Sequence, residues 1–211
     1  MKRIVVLLCF FRLGALAQTD QDELVNLKDY IPDIVVDLRY NTVDNFASQK
    51  LYSTDEALLM LKAAKGLVLI QDSLRRITHY NGKDYPQGLG LKIYDGYRPR
   101  AIQYLMFEIF PDPTFVADPT TGSIHNRGGA VDLSIVDRAT GEELQMPTVF
   151  DWFGPEAGHD YQDLPADAIA NRLLLKTMMT QVGGFEIYDA EWWHYSIPGA
   201  SNYPLLDFQM K

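Results

Sequence analysis

The stretch SIHNRGGAVDLSIV, Ser123 to Val136, decides the fold. Its second half alternates in polarity. On a β-strand Val131, Leu133 and Ile135 share one face, and Ala130, Asp132 and Ser134 share the other. The first face is fit for a core. The second carries a carboxylate, seven residues after His125, and the intervening Gly128-Gly129 turn can fold that histidine back. The same rule applied to EWWHYSI, Glu191 to Ile197, puts Trp193, Tyr195 and Ile197 on one face. Trp192, His194 and Ser196 fall on the other. If the two strands are neighbours, Asp132 and His194 converge on one polar surface.

Working outward, Ile34 to Tyr40 (IVVDLRY) predicts a strand. Ser53-Thr54-Asp55-Glu56 reads as a capping box. It would open a long helix through Ile77 that ends before Asn81-Gly82, with His79 near its C-terminal end, where a cation is favourable. Leu89 to Tyr97 predicts a strand running into a turn. Pro99 suits the start of a helix over Arg100 to Phe110, which stops before Pro111 and Pro113. After the Ala130–Val136 strand, RATGEE reads as a turn. Pro165 to Val182 predicts a third helix, stopped by Gly183-Gly184, and FEIY and EWWHYSI predict two short strands joined at Asp189-Ala190. Helices flanking a mostly antiparallel sheet make an α+β domain.

At 211 residues the chain has the length of one domain, and 47% apolar and 22% charged residues are ordinary for a globular protein. Its start differs from the rest. Lys2 and Arg3 precede an apolar run and then Ala15-Leu16-Ala17, the pattern of a cleaved export signal, with Arg12 as an unusual interruption. The expected organisation is a signal peptide over residues 1–17 and one domain over 18–211, periplasmic or secreted. Cleavage would remove three basic residues and no acidic one, taking the net charge from -9 to -12. Such a surface has no electrostatic footprint for nucleic acid. No apolar run is long enough to span a bilayer. The one cysteine, Cys9, lies in the expected signal, which leaves no disulfide and no cysteine nucleophile in the remainder.

Two histidines and a carboxylate, His125, Asp132 and His194, form a catalytic type of zinc set that leaves a fourth position for water. Taken singly, each has an ordinary reading as a surface or satisfied core residue, and no HExxH helix sharpens the set. Glu191 lies three residues before His194 and would face away on a regular strand. It is therefore expected at a turn or bulge, reaching the site from its rim as a general base. In Asp95-Gly96-Tyr97-Arg98-Pro99 the proline biases Arg98 to an extended conformation at a helix start. From there it can reach a cleft and steady an oxyanion, or simply pair with a surface acid.

The joint pattern DGYRP, SxHxxGxAxD and EWWHY, in this order, resembles the zinc D-alanyl-D-alanine dipeptidases, including those of vancomycin resistance. They belong to a wider group of zinc DD-peptidases that share a fold with the Hedgehog signalling domain. The likeness runs from Val36–Tyr40 and Asp44-Asn45-Phe46 to Asp207-Phe208. The resemblance implies one Zn2+ per chain held by His125, Asp132 and His194. It implies Glu191 as catalytic base and Arg98 as the group that stabilises the transition state. It also implies a pocket for a small D-amino-acid peptide lined by Tyr40, Ser123 and Asp151, with Asp151 meeting the substrate ammonium. His159, in a loop, is left over because three ligands already satisfy zinc. The implied activity is hydrolysis of D-Ala-D-Ala or a related cell-wall (peptidoglycan) dipeptide. Two alternatives stay open: a DD- or LD-carboxypeptidase or endopeptidase acting on longer stem peptides, and a zinc-containing binding module without turnover. The connection from Arg98 to His125 is shorter than in the resistance enzymes, which predicts a more open pocket.

Overall fold

A computed structural model describes residues 23–210. The expected signal segment and Cys9 lie outside them. The chain enters through β1 (Leu24–Asn26) and a one-turn helix, α1 (Leu27–Tyr30), where the Asn26 side chain accepts a hydrogen bond from the Lys28 amide at 3.1 Å. There follow β2 (Val35–Val36), β3 (Leu58–Met60), α2 (Leu61–Leu74) and a small hairpin of β4 (His79–Tyr80) and β5 (Lys83–Asp84). Next come β6 (Leu89–Asp95), α3 (Arg100–Ile109), β7 (Ala130–Asp137), α4 (Ala166–Thr177), β8 (Glu186–Tyr188) and β9 (Glu191–Ser196).

The main sheet has five strands in the order β2-β6-β7-β9-β8. All neighbours are antiparallel except β2 and β6. The expected α+β class is therefore what the chain adopts. The alternation in β6 and β7 sorts their side chains: Leu91 and Ile93 face the helices beside Ile135 and Leu133. Ala63, Leu67, Ile70 and Leu74 recur every three or four residues along α2 and cover that face, with Leu175 of α4 beside them. Each of these leucine and isoleucine side chains, fully removed from water, contributes roughly 1.5–3 kcal/mol. The opposite face of the sheet carries the polar residues and is covered by loops. There Tyr94 stacks on Phe150, with ring centroids 4.7 Å apart.

Several expectations need correction. The strand expected over Ile34–Tyr40 is only Val35–Val36. The Asp37 amide still bonds the Ile93 carbonyl at 2.9 Å, and the chain then coils into a 3-10 turn, Arg39–Asn41. That turn buries Tyr40, whose carbonyl accepts from Leu51 and Tyr52 at 2.7 and 2.9 Å. Ser53–Glu56 does not cap a helix. The Thr54 hydroxyl accepts from the Glu56 amide at 3.1 Å in a local turn, and Leu58–Met60 pairs with β1 before α2 begins at Leu61. α2 ends at Leu74, so His79 is not at a helix terminus; it sits on the hairpin, its ring 2.6 Å from Asp84. The third helix stops being α-helical at Thr177 and widens into a π turn over Met178–Val182. Gly183 then passes so close to α2 that a Cβ there would lie 2.4 Å from Ile70 Cδ1.

Two β-bulges aim side chains at the polar face. In β6 the register shifts between Ile93 and Asp95, which sets Asp95 opposite Asp132 of β7. Between β8 and β9 it shifts at Ile187/Tyr188, so that Tyr188 pairs with Glu191 while Ile187 pairs with Tyr195. A bulge breaks the two-residue alternation. Glu191 and His194 therefore both reach the same cavity, as expected for a Glu191 placed at a bulge. Trp193, expected on the core face with Tyr195, is turned onto that cavity as well, edge-to-face with Phe150.

Candidate functional site

The register of β7 and β9 places Asp132 directly opposite His194. His125 arrives from a 3-10 turn, His125–Arg127, closed by Gly128. Gly128 has φ 66, and its amide bonds the His125 carbonyl at 3.0 Å. That left-handed conformation favours glycine, and a Cβ would also lie 2.5 Å from Leu24. His125 Nδ1 is 2.7 Å from the Gly96 carbonyl, a bond that requires the proton on Nδ1 and leaves Nε2 free to act as a ligand. Nε2 lies 3.2 Å from His194 Nδ1 and 3.3 Å from Asp132 Oδ2; His194 Nδ1 lies 3.0 Å from Asp132 Oδ1. Ligands about 2.0–2.1 Å from a tetrahedral ion stand roughly 3.3 Å apart. The donor set and its spacing thus fit a zinc-type ion, and among the described residues these three form the one group of this kind. Burial works against the Asp132 charge, but the two imidazoles outweigh it and hold the carboxyl below its usual range.

Glu191 is buried, with Oε2 4.0 Å from His194 Nδ1. Burial first, then the charges of Asp132 and Asp151, push its carboxyl well above the usual range. Arg98 is buried too, its amide bonded to the His125 carbonyl at 3.1 Å. Its Nε and one terminal nitrogen donate to Asp95 Oδ2 at 3.1 and 2.7 Å, and its other terminal nitrogen donates to Gln103 Oε1 at 2.8 Å. Burial opposes the guanidinium charge; Asp95 prevails and keeps it protonated. Asp95 also accepts from Tyr52 Oη at 3.0 Å, so that carboxylate is surrounded by donors.

Tyr40 and Asp151 come from distant segments, and Tyr40 Oη donates to Asp151 Oδ1 at 3.0 Å. Asp151 has φ 62, an uncommon backbone state for a residue other than glycine. Its burial pushes the carboxyl up to about 7, against the pull of the Tyr40 hydroxyl. The Ser123 hydroxyl accepts from the His125 amide at 3.2 Å. All eight residues singled out from the sequence (Tyr40, Arg98, Ser123, His125, Asp132, Asp151, Glu191 and His194) line one cavity of about 250 Å³. His79 and His159 do not. The short Arg98–His125 connection, expected to leave this cavity more open, lies along it and contributes Pro113–Ala117 and Gly122–Ile124 to its wall.

The family model described as D-ala-D-ala dipeptidase, of the M15 peptidases, matches residues 20–211. The chain belongs to this family. Members with related sequences include a D-alanyl-D-alanine dipeptidase of Escherichia coli K12, 37% identical over 188 residues, which span 89% of this chain and 91% of that protein. A protein of the same name from Enterococcus faecium is 26% identical over 208 residues, 88% of this chain and 96% of its own. This family member is thus a peptidase, and its family acts on dipeptides. Among the described residues no helix is long and apolar enough to cross a membrane. Sequence reasoning missed Asp95 and Gln103, the two partners that fix Arg98. Asp95 was in view inside DGYRP, and its spacing of three from Arg98 was the available signal. Gln103 gave none, because its place on the buried side of α3 depends on the packing of that helix.

Proposed function

We propose that this chain is a zinc-dependent dipeptidase that hydrolyses D-alanyl-D-alanine or a closely related cell-wall dipeptide. The observation that carries this reading is the convergence of the three-ligand cluster, a buried proton acceptor and a fixed guanidinium on one cavity whose wall holds a buried carboxylate. His125 Nε2, Asp132 and His194 Nδ1 would hold the ion. When bound, zinc supplies Lewis-acid polarisation of the scissile carbonyl and acidifies water to near neutral pH.

The chain's own residues account for the remaining steps. Glu191 accepts the proton of the attacking water and returns it to the leaving amine; the same burial that raises its proton affinity suits it to both transfers. Arg98, locked by Asp95 and Gln103, presents its charge where oxyanion charge develops and needs no reorientation during reaction. Asp151 pairs with the substrate ammonium, and Tyr40 and the Phe46 amide, 3.0 and 3.4 Å away, hold its carboxylate in place. Ser123 lines the same cavity and helps position the small peptide.

The test compares D-Ala-D-Ala, L-Ala-L-Ala and a tripeptide ending in D-Ala-D-Ala with the zinc-loaded protein. Fastest cleavage of D-Ala-D-Ala supports the proposal. Faster cleavage of the tripeptide would favour a stem-peptide carboxypeptidase, and no turnover of any would favour a binding module. Export rests on the N-terminal residue pattern alone and belongs to the same proposal.

A further inference from the structure

The segment between α3 and the His125 turn is anchored at several points beside the cavity. Val116 is buried, 2% exposed, in a cluster with Tyr40, Tyr52, Ile102 and Met106. The Ala117 carbonyl accepts from Gln103 Nε2 at 2.8 Å. Phe115 stacks on Phe153, with centroids 4.9 Å apart and planes at 20°, and Phe153 lies two residues beyond Asp151. The remaining anchor is on the other flank. Tyr188 Oη donates to the Thr114 carbonyl at 2.6 Å, and the Tyr188 ring stands edge-on to His194, with centroids 5.8 Å apart. The β8–β9 bulge is what turns Tyr188 there.

The segment is therefore a strap tied at one side beside Asp151 and at the other beside His194. We propose that Tyr188 is a specificity-determining residue, a latch that holds this strap across the cavity and so restricts the site to short peptides. The cavity, about 250 Å³, falls below the roughly 300–1,000 Å³ of pockets for drug-sized ligands. Anchors on both flanks keep it so, and loss of either one frees that side of the strap to move. The inference rests on the dipeptidase reading for its substrate, and on the hydrogen bond and ring contacts alone for the latch.

Tyr188→Phe removes the bond to Thr114 and keeps the ring against His194; Phe115→Ala loosens the opposite anchor. Two measurements on the zinc-loaded full chain decide the matter. The first is amide hydrogen exchange over Asp112–Ala117, which needs no activity. The second is the ratio of kcat/KM for a tripeptide ending in D-Ala-D-Ala to that for D-Ala-D-Ala, with zinc content measured alongside. The expectation is faster strap exchange in both variants and a ratio raised about threefold to tenfold in Tyr188→Phe, the range for loss of one hydrogen bond. Unchanged exchange overturns the latch. Faster exchange with an unchanged ratio, or an equal loss on both substrates, overturns its role in specificity. A wild-type protein that cleaves neither substrate defeats the dipeptidase reading and with it the proposed specificity role, while exchange still decides whether the strap is latched.

Discussion

At the scale of single residues, burial raises the proton affinity of Glu191 and Asp151, while paired charges keep Asp132 and Arg98 ionised against it. Glu191→Gln keeps the shape and cannot take a proton. It is expected to retain zinc and fold but to lose at least ~10²-fold in kcat, the lower end for a general acid–base group; near-normal turnover of the zinc-loaded variant would remove Glu191 from the chemistry. The catalytic role proposed for Arg98 can be separated from its pairing with Asp95. Arg98→Ala should lower kcat about 10²–10³-fold, as for loss of one oxyanion donor, with a smaller rise in KM. It also strands Asp95, which is fully buried, and breaking such a pair costs roughly 3–5 kcal/mol. Adding Asp95→Asn should recover part of that stability in urea unfolding and none of the rate. Recovery of rate would show that Asp95, and not Arg98, carries the effect. The convergence of His125, Asp132, Glu191 and His194 on one cavity was legible from sequence because strand alternation and the quoted motifs act over a few positions. Asp95 was missed as a partner, although only three residues away, because its orientation comes from a bulge in β6.

Secondary structure was readable where the local pattern and the tertiary environment agree. β6, β7 and β9 alternate or run apolar as buried strands do, and α3 starts beside Pro99 as the proline dictates. The start of α2 was misread because Leu58–Met60 is held by β1, more than thirty residues earlier, and no local window contains that partner. The π turn after α4 ends at Gly183, which packs closely against Ile70 of α2, a contact that is likewise non-local. The loop before α4 offers a test of its own. Arg172 on α4 donates to the Gly158 and Tyr161 carbonyls at 2.8 and 2.7 Å, and the His159 amide donates to Asp189 at 2.9 Å, in the turn that leads to Glu191. His159 is 5% exposed, its ring rests edge-on against Tyr195, and neither ring nitrogen has a hydrogen-bond partner among the described residues. Burial, with Lys176 and Arg172 adding to it, lowers its pKa to about 4. Between that value and about 6.5 the unfolded chain binds more protons than the folded one. Stability from this residue is therefore full above about pH 6.5 and falls as pH drops toward 4, by up to about 3 kcal/mol. His159→Phe should be at least as stable at pH 7 and should lose less between pH 7 and 4.5, as read from urea midpoints. An identical pH dependence in the two proteins would show that His159 is not the group responsible.

For the whole molecule, one sheet brings together residues spread from Tyr40 to His194, and its family membership and class followed from motifs on three of those segments. The path of the Arg98–His125 connection did not: its ties to Phe153, Gln103 and Tyr188 lay it along the site, and its length alone shows none of them. Beyond the described residues, the basic start and Ala15-Leu16-Ala17 predict that protein from its native host begins at Gln18; terminal sequencing that finds an intact Met1 would overturn export. One catalytic zinc held jointly by His125, Asp132 and His194 is the proposal on which the chemistry rests. Elemental analysis of the purified protein and of His125→Ala, Asp132→Ala and His194→Ala, with D-Ala-D-Ala hydrolysis measured on the same samples, tests it most directly. About one zinc per wild-type chain is expected, most of it lost in each variant together with activity. Full zinc in all three variants, or undiminished hydrolysis by zinc-free wild-type protein, would contradict it.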